Sequence, residues 1–264
     1  MENHLIENLV ASASRDLAFY RSALLPCPYL PGRLERRFIT ELTPDLVAGG
    51  LFGAFMAAGF RRSHNYIYRP VCPSCKACVP VRIVIERFQP RRTLKRTWDI
   101  NADLTAEVVP ATATLEQFDL FQRYQHARHD DSEMAQMNFL DYRQLIEESA
   151  AETRVVELRD GAGTLVGCCL FDLTEDGLSA VYSFFAADMP ARSLGTYLVL
   201  WLIAHGQETG RRHVYLGYWV EDCRKMAYKV RFRPLEALGA DGWQPLDPAD
   251  ANAVAAEKSE PVPA

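Results

Sequence analysis

The stretch Thr153–Phe185, TRVVELRDGAGTLVGCCLFDLTEDGLSAVYSFF, decides the fold. Three β-rich runs, 153–159, 164–174 and 178–185, are separated by the turn clusters Asp160-Gly161-Ala162-Gly163 and Glu175-Asp176-Gly177. β-Branched and aromatic runs bounded by Gly/Asp clusters read as strands joined by tight turns, so the stretch is an antiparallel meander. Upstream, the pattern predicts a strand over 105–109 and helices over 114–129 and 138–149. Downstream it predicts a helix over 193–208, a strand over 212–220 and a helix over 222–230.

Two helices, a meander, then a helix and a strand is the order of an acetyltransferase-like α/β (α+β) fold, a mixed sheet with helices on both faces. A cysteine-containing α/β region precedes it. There, Thr43 and Pro44 open a helix whose apolar face runs from Leu46 to Ala58 and which Gly59 ends. RRSHNYIYR (61–69) and VPVRIVIER (79–87) read as strands, the second with alternating Val79, Val81, Ile83 and Ile85.

Length and composition bound the class. The chain has 264 residues, 48% of them hydrophobic, enough to bury a sizeable core. The first ten residues lack a basic segment followed by an apolar run, and the longest apolar stretch, Tyr197–Ala204, is too short to span a bilayer. A cytoplasmic protein is expected, with no membrane and no DNA partner. The net charge of −5 is unevenly spread: residues 1–100 carry 15 basic and 8 acidic residues, net +7, and residues 101–264 are net −12. This swing places a boundary near 101, giving a basic region 1–100, a catalytic domain 101–240 and a tail 241–264 that lacks large apolar groups after Leu246 and is expected to be disordered.

Three motifs carry chemistry. Cys72-Pro73-Ser74-Cys75-Lys76-Ala77-Cys78, with Cys27 in its own Pro-rich turn, offers four thiolates for a structural zinc or an iron–sulfur cluster; reduced packing thiols are the alternative. Cys168-Cys169 sit inside a strand and read as core. Arg192-Ser193-Leu194-Gly195-Thr196-Tyr197 opens a helix where a coenzyme A-dependent acetyltransferase carries its pyrophosphate loop, whose amides favour an anion. Bulky Tyr197 replaces the small residue of that loop and argues for a different phosphate-bearing donor. The third motif is Tyr215–Pro234, YLGYWVEDCRKMAYKVRFRP, where tyrosines meet Arg224, Lys225, Lys229, Arg231 and Arg233. Such a cationic strand end suits an anionic group. No Ser/His/Asp order is present, so an amine is expected to attack an activated ester directly. His126 and His129 are both placed to accept its proton.

Taken together, RPVCPSCKACVPVRI, VYSFF followed by SLGTY, and YLGYWV with RKMAYKVRFRPLE resemble the arginyl-tRNA–protein transferase family, most closely its short bacterial aspartate/glutamate leucyltransferase branch. The resemblance covers roughly residues 15–238. It implies transfer of leucine from leucyl-tRNA to the α-amino group of proteins beginning with Asp or Glu, marking them for the N-degron pathway, with no cofactor required for transfer. Departures exist: Leu30 stands where eukaryotic relatives place a second early cysteine, and Ala77-Cys78 stands in place of a vicinal cysteine pair.

The residues divide accordingly. Arg82, Arg91, Arg92, Lys95 and Arg96 are the expected phosphate-tracking surface for tRNA, with Arg192, Ser193, Gly195 and Thr196 at the helix start supplying anion and oxyanion donors. Lys225, Lys229 and Arg231 are the candidates to pair with the acidic side chain of the acceptor, and Tyr215, Tyr218 and Tyr228 their hydrogen-bonding neighbours. Cys27, Cys72, Cys75 and Cys78 are the candidate metal ligands. The alternatives are an arginyl donor, an acetyl-coenzyme A-dependent N-acetyltransferase, and a thiolate–metal RNA-binding module.

Overall fold

The computed structural model of the chain describes residues 17–130 and 132–246. The first region begins with short strands β1 (Tyr20–Arg21), β2 (Leu25–Pro26), β3 (Leu34–Glu35) and β4 (Arg37–Glu41). Helices α1 (Pro44–Ala48) and α2 (Leu51–Ala57) follow, then the hairpin β5 (Arg61–Ser63) and β6 (Tyr66–Pro70). Here two expectations are corrected. The single helix expected from Thr43 is cut in two at Gly49-Gly50, where Gly50 takes a positive φ of 73°. The strand expected over 61–69 folds back on itself at His64-Asn65, with His64 at φ 53°.

The chain continues as β7 (Val79–Val84), α3 (Arg92–Asp99), β8 (Thr105–Pro110), α4 (Leu115–His129) and α5 (Phe139–Glu147). The meander follows as β9 (Thr153–Arg159), β10 (Leu165–Leu173) and β11 (Gly177–Phe185), and then α6 (Leu194–Glu208) and β12 (His213–Trp219). Residues Arg224–Arg231 form a 3₁₀ helix in place of the expected α-helix, before β13 (Leu235–Gly239) and β14 (Gly242–Pro245). Capping boxes start both α4 (Thr114 with Gln117) and α5 (Asn138 with Asp141), reciprocal bonds that satisfy amides otherwise left open.

One eight-stranded sheet, in the order β14-β13-β7-β12-β11-β10-β9-β8, organises these elements. The expected acetyltransferase-like mixed sheet is present: β8 to β11 pair antiparallel, and α6 carries the chain across so that β12 lies parallel to β11. Strand β7, from the basic half of the sequence, runs between β12 and β13 in the middle of this sheet. β14 shows that the tail begins later than residue 241, since Trp243 packs inward and its Nε1 donates to the Ala57 carbonyl at 2.8 Å. The disorder expected for the tail lies outside the described residues.

Side chains alternate across the sheet. Val156, Leu158, Val166, Cys169 and Phe171 face α3 and α6, whereas Val155, Leu165, Cys168 and Leu170 face α4 and α5. Both vicinal cysteines are therefore core residues, one on each face, as their strand position implied. The first region adds its own sheet, β1-β4-β6-β5, and a core of Phe52, Phe55, Met56, Phe60 and Ile67 that also takes in Tyr215 of β12. It is fixed to the large sheet by a bidentate ion pair: Arg62 Nε and Nη2 lie 2.8 Å from the two carboxylate oxygens of Asp172, with both side chains at 1% exposure or less.

Candidate active site

The carboxyl ends of β11 and β12 define the site, because an open sheet receives ligands in the crevice outside the carboxyl ends of its parallel strands. Pairing between the two runs only from Gly177–His213 to Ser179–Tyr215. Beyond it β11 carries a bulge: Leu170 opposes Tyr182 and Phe171 opposes Ala180, leaving Val181 as the extra residue. A bulge leaves its extra residue out of the ladder and bends the strand, which fits the point where β11 leaves β12.

The C-terminal turn of α4 lies against this end. Tyr124 packs 4.9 Å from the Phe185 ring and 5.7 Å from His129, and Arg128 stands 5.9 Å over Phe185. Gln125, fully buried, donates to the Tyr182 hydroxyl at 2.6 Å. Burial, then the charges of Lys225 and Arg128, lower the pKa of His129, so its imidazole is held in the neutral, proton-accepting form. His126 instead is exposed and pairs through Nδ1 with Asp130 at 2.9 Å.

At the start of α6, Ser193 adopts the left-handed conformation (φ 51°, ψ 46°). Its carbonyl accepts from the Thr196 and Tyr197 amides, leaving those of Leu194 and Gly195 without a partner among the described residues. Gly195 is needed for packing, since a Cβ there would meet the Phe185 ring at 2.7 Å. Arg192 is committed elsewhere: Nη1 and Nη2 each donate to Asp103 at 2.8 Å, which fastens the 3₁₀ turn Pro190–Arg192 to the loop after α3.

The six residues expected to do the chemistry fall in three places. Lys225, Tyr228 and Arg231 lie exposed on the 3₁₀ helix Arg224–Arg231. Tyr215 is at the opposite, amino end of β12: its hydroxyl donates to Asp176 at 3.0 Å and accepts from Arg82 at 3.4 Å, and Asp176 also takes a bond from His213 at 3.0 Å. Burial raises the Asp176 carboxyl, but hydrogen bonds from His213 and Tyr215 and the His213 charge outweigh it and hold the group down at about 2. Tyr218 and Lys229 are buried between the sheet and the first region. The Tyr218 hydroxyl donates to the Gly59 and Tyr68 carbonyls, and the Lys229 ammonium donates to the Tyr218 carbonyl. Burial, then Arg61, lowers the Lys229 pKa to about 7.

The tRNA-facing set also divides. Arg91, Arg92, Lys95 and Arg96 are all exposed on and before α3, and none has an ion-pair partner among the described residues. Arg82 is not with them. It is held by Glu236 at 2.9 Å and stacks 4.3 Å over Trp243, so it is committed within the sheet to the β13–β14 hairpin. α3 ends in Trp98, 39% exposed and 5.3 Å from Tyr197 in the first turns of α6. The helix that carries the exposed cations thus meets the start of α6 at its Trp98 end.

Of the cysteines, Cys27, Cys75 and Cys78 pack against the buried set Leu30, Val220 and Cys223, under the end of β12. Burial, and then the neighbouring Cys72, Cys27 and Cys75, push the Cys78 thiol up to about 12. A hydrogen bond from the Ala77 amide, then one from Arg33 at 3.3 Å, lower that of partly buried Cys75. In this arrangement no three His, Cys, Asp or Glu side chains among the described residues converge as metal donors. Residues that sequence reasoning missed are Gln125, Tyr182, Arg61 and Gly217. Only Gly217 gave a signal, a glycine inside a strand pattern, which marks a close approach of another group.

Comparison with known proteins follows the same lines. The family models described as the N terminus and the C terminus of arginine-tRNA-protein transferase match residues 25–96 and 116–239. An aspartate/glutamate leucyltransferase from Paramagnetospirillum magneticum is 53% identical over 88% of this chain and 95% of its own length. One from Gluconacetobacter diazotrophicus is 51% identical over 89% and 90%. Among solved structures, the C-terminal domain of a putative lysylphosphatidylglycerol synthetase from Agrobacterium fabrum aligns over 97% of this chain and 96% of its own with 15% identity and a TM-score of 0.49. With half of its residues shared across nearly the whole length of such relatives, the chain belongs to the arginine-tRNA-protein transferase family.

Proposed function

We propose that the chain transfers leucine from leucyl-tRNA to the α-amino group of proteins beginning with Asp or Glu. The names of the relatives supply the donor amino acid and the acceptor class. The structural observation that carries the reading is the row of exposed cations Arg91, Arg92, Lys95 and Arg96 on and before a helix whose far end, at Trp98, meets the start of α6. A phosphate backbone laid on α3 brings its 3′ end to α6 and the carboxyl ends of β11 and β12.

The acceptor's α-amine then attacks the ester carbonyl carbon. Neutral His129 takes the proton that the α-ammonium must lose, and the amides of Leu194 and Gly195 donate to the oxyanion. The bond from carbonyl carbon to the terminal ribose oxygen breaks, and that oxygen leaves as a hydroxyl with the second proton that the amine gives up on becoming an amide. Lys225, beside His129, pairs with the acceptor's side-chain carboxylate. Transfer needs no cofactor. Its setting is the cytoplasm, where aminoacyl-tRNA is made, and its products enter N-degron degradation.

Incubation with leucyl-tRNA and Asp- or Glu-initiated peptides should add one leucyl mass to each, and an Ala-initiated peptide should stay unchanged. Addition from arginyl-tRNA but not leucyl-tRNA would transfer the assignment to the arginyl donor. A thiolate metal centre is a separate proposal, tested by elemental analysis of freshly purified protein; one metal per chain would mean that Cys27, Cys72, Cys75 and Cys78 draw together from the positions described above.

A further inference from the structure

The parting of β11 and β12 creates two unpaired strand edges. β11 remains with β10 as far as Phe185, and β12 remains with β7 as far as Trp219, so the space between them is walled by backbone. Edges of this kind give main-chain hydrogen bonds to an extended, amide-bearing ligand. The pantetheine arm of coenzyme A is such a ligand.

In this chain the crevice is filled by the protein itself. Arg61, first residue of β5, reaches in from the basic region, and its Nη2 donates to the Ala180 carbonyl at 3.1 Å and the Val181 carbonyl at 3.3 Å. The far wall is shaped to fit it. A Cβ on Gly217 of β12 would lie 1.6 Å from Arg61 Nη1 and 2.4 Å from Cζ, so the guanidinium uses the space a side chain would take. Gly217 also sits at φ 72°, beside the register shift between Tyr215 and Gly217. Arg61 is held in register by its neighbour, because Arg62 points to the other side of β5 and is locked on Asp172.

We infer that Arg61 is a specificity-determining and positioning residue: it closes the crevice to acyl carriers with an amide-bearing arm and fixes the bulged end of β11 against β12. The donor's acyl ester must then arrive from the side of α3 and the start of α6. The inference deepens the aminoacyl-tRNA reading, but its first two tests do not depend on it.

The full chain should bind neither coenzyme A nor acetyl-coenzyme A more tightly than about 1 mM in a calorimetric titration; low-micromolar binding by the unaltered protein would overturn the closure. Two variants separate volume from hydrogen bonding. Arg61→Met keeps an unbranched chain in the crevice without donors, and Arg61→Ala empties it. Amide exchange in residues 180–183 and 216–218 should speed up about tenfold in both, and an unchanged rate in Arg61→Met removes the positioning role. With leucyl-tRNA, Arg61→Met should lower kcat about tenfold while the KM for tRNA moves less than about threefold, and Arg61→Lys should recover part of the loss. Wild-type kcat in Arg61→Met also sinks the inference. Absence of leucyl transfer by the unaltered protein would defeat the function proposed above, and binding and exchange would still decide the case for Arg61. Should Arg61→Ala not fold, Arg61→Met and Arg61→Lys carry the test.

Discussion

Breaking the Arg62–Asp172 pair gives the most direct measure of how the basic region is joined to the large sheet. Both side chains are at 1% exposure or less, two bonds of 2.8 Å link them, and Asp172 has one further side-chain donor, Thr153 at 2.7 Å. Arg62→Met leaves that carboxylate in a dry interior with one donor. Removing one member of a buried pair costs about 3–5 kcal/mol. For a chain of this size each kcal/mol lowers the melting temperature by roughly 2–4 °C, so Arg62→Met should melt about 6–20 °C lower. Asp172→Asn leaves the guanidinium uncompensated and should fall in the same range. The double variant Arg62→Met/Asp172→Asn buries no unpaired charge and should be more stable than Arg62→Met alone, a coupling of at least about 1 kcal/mol. Urea titration followed by far-ultraviolet circular dichroism measures all four proteins. A loss below about 1 kcal/mol in both single variants, or strict additivity in the double, refutes the reasoning.

Other expectations follow from the charges. Asp176 is ionised in the folded protein down to about pH 2, below the usual carboxylate value; its contribution of about 2 kcal/mol is complete above pH 4 and is lost as the pH falls toward 2. Asp176→Asn should lack that acid-limb loss, and an unchanged limb would locate it elsewhere. Lys229, with a folded pKa of about 7, binds fewer protons folded than unfolded between pH 7 and its unfolded value. Stability should therefore rise through pH 7.5–9.5 by up to about 1.4 kcal/mol per pH unit, and Lys229→Met should flatten the slope. Replacing Arg91, Arg92, Lys95 or Arg96 by Ala should leave melting unchanged and reduce the slope of log binding constant against log salt for tRNA by up to about 0.9 each. A slope that stays constant through all four would move the tRNA off α3.

How much of this could be read in advance depended on range. Local patterns, such as the meander with its Gly-marked turns, the helices that begin at 114 and 138 and the exposed cations before and on α3, state their outcome in neighbouring residues. Long-range partnerships do not. Nothing near Tyr215 shows that its hydroxyl bonds Asp176 at the far end of the strand from Lys225, and nothing near Lys229 shows that its ammonium turns inward to the Tyr218 carbonyl. Arg82 sits in a basic run, yet its charge is matched by Glu236, more than 150 positions later. Arg61 opens a strand pattern that says nothing of its role for the same reason: the carbonyls it serves belong to β11.

The position of β7 between β12 and β13 has a consequence for synthesis on the ribosome. The strand emerges early, and both of its sheet partners emerge near the end of the chain. Val81 and Ile83, 1% and 0% exposed in the finished protein, have neither a strand beside them nor the 194–208 helix over them for about a hundred residues of elongation. Chain growth at roughly 5–20 residues per second makes that interval several seconds long, a window in which an unpaired apolar strand is open to association with other chains.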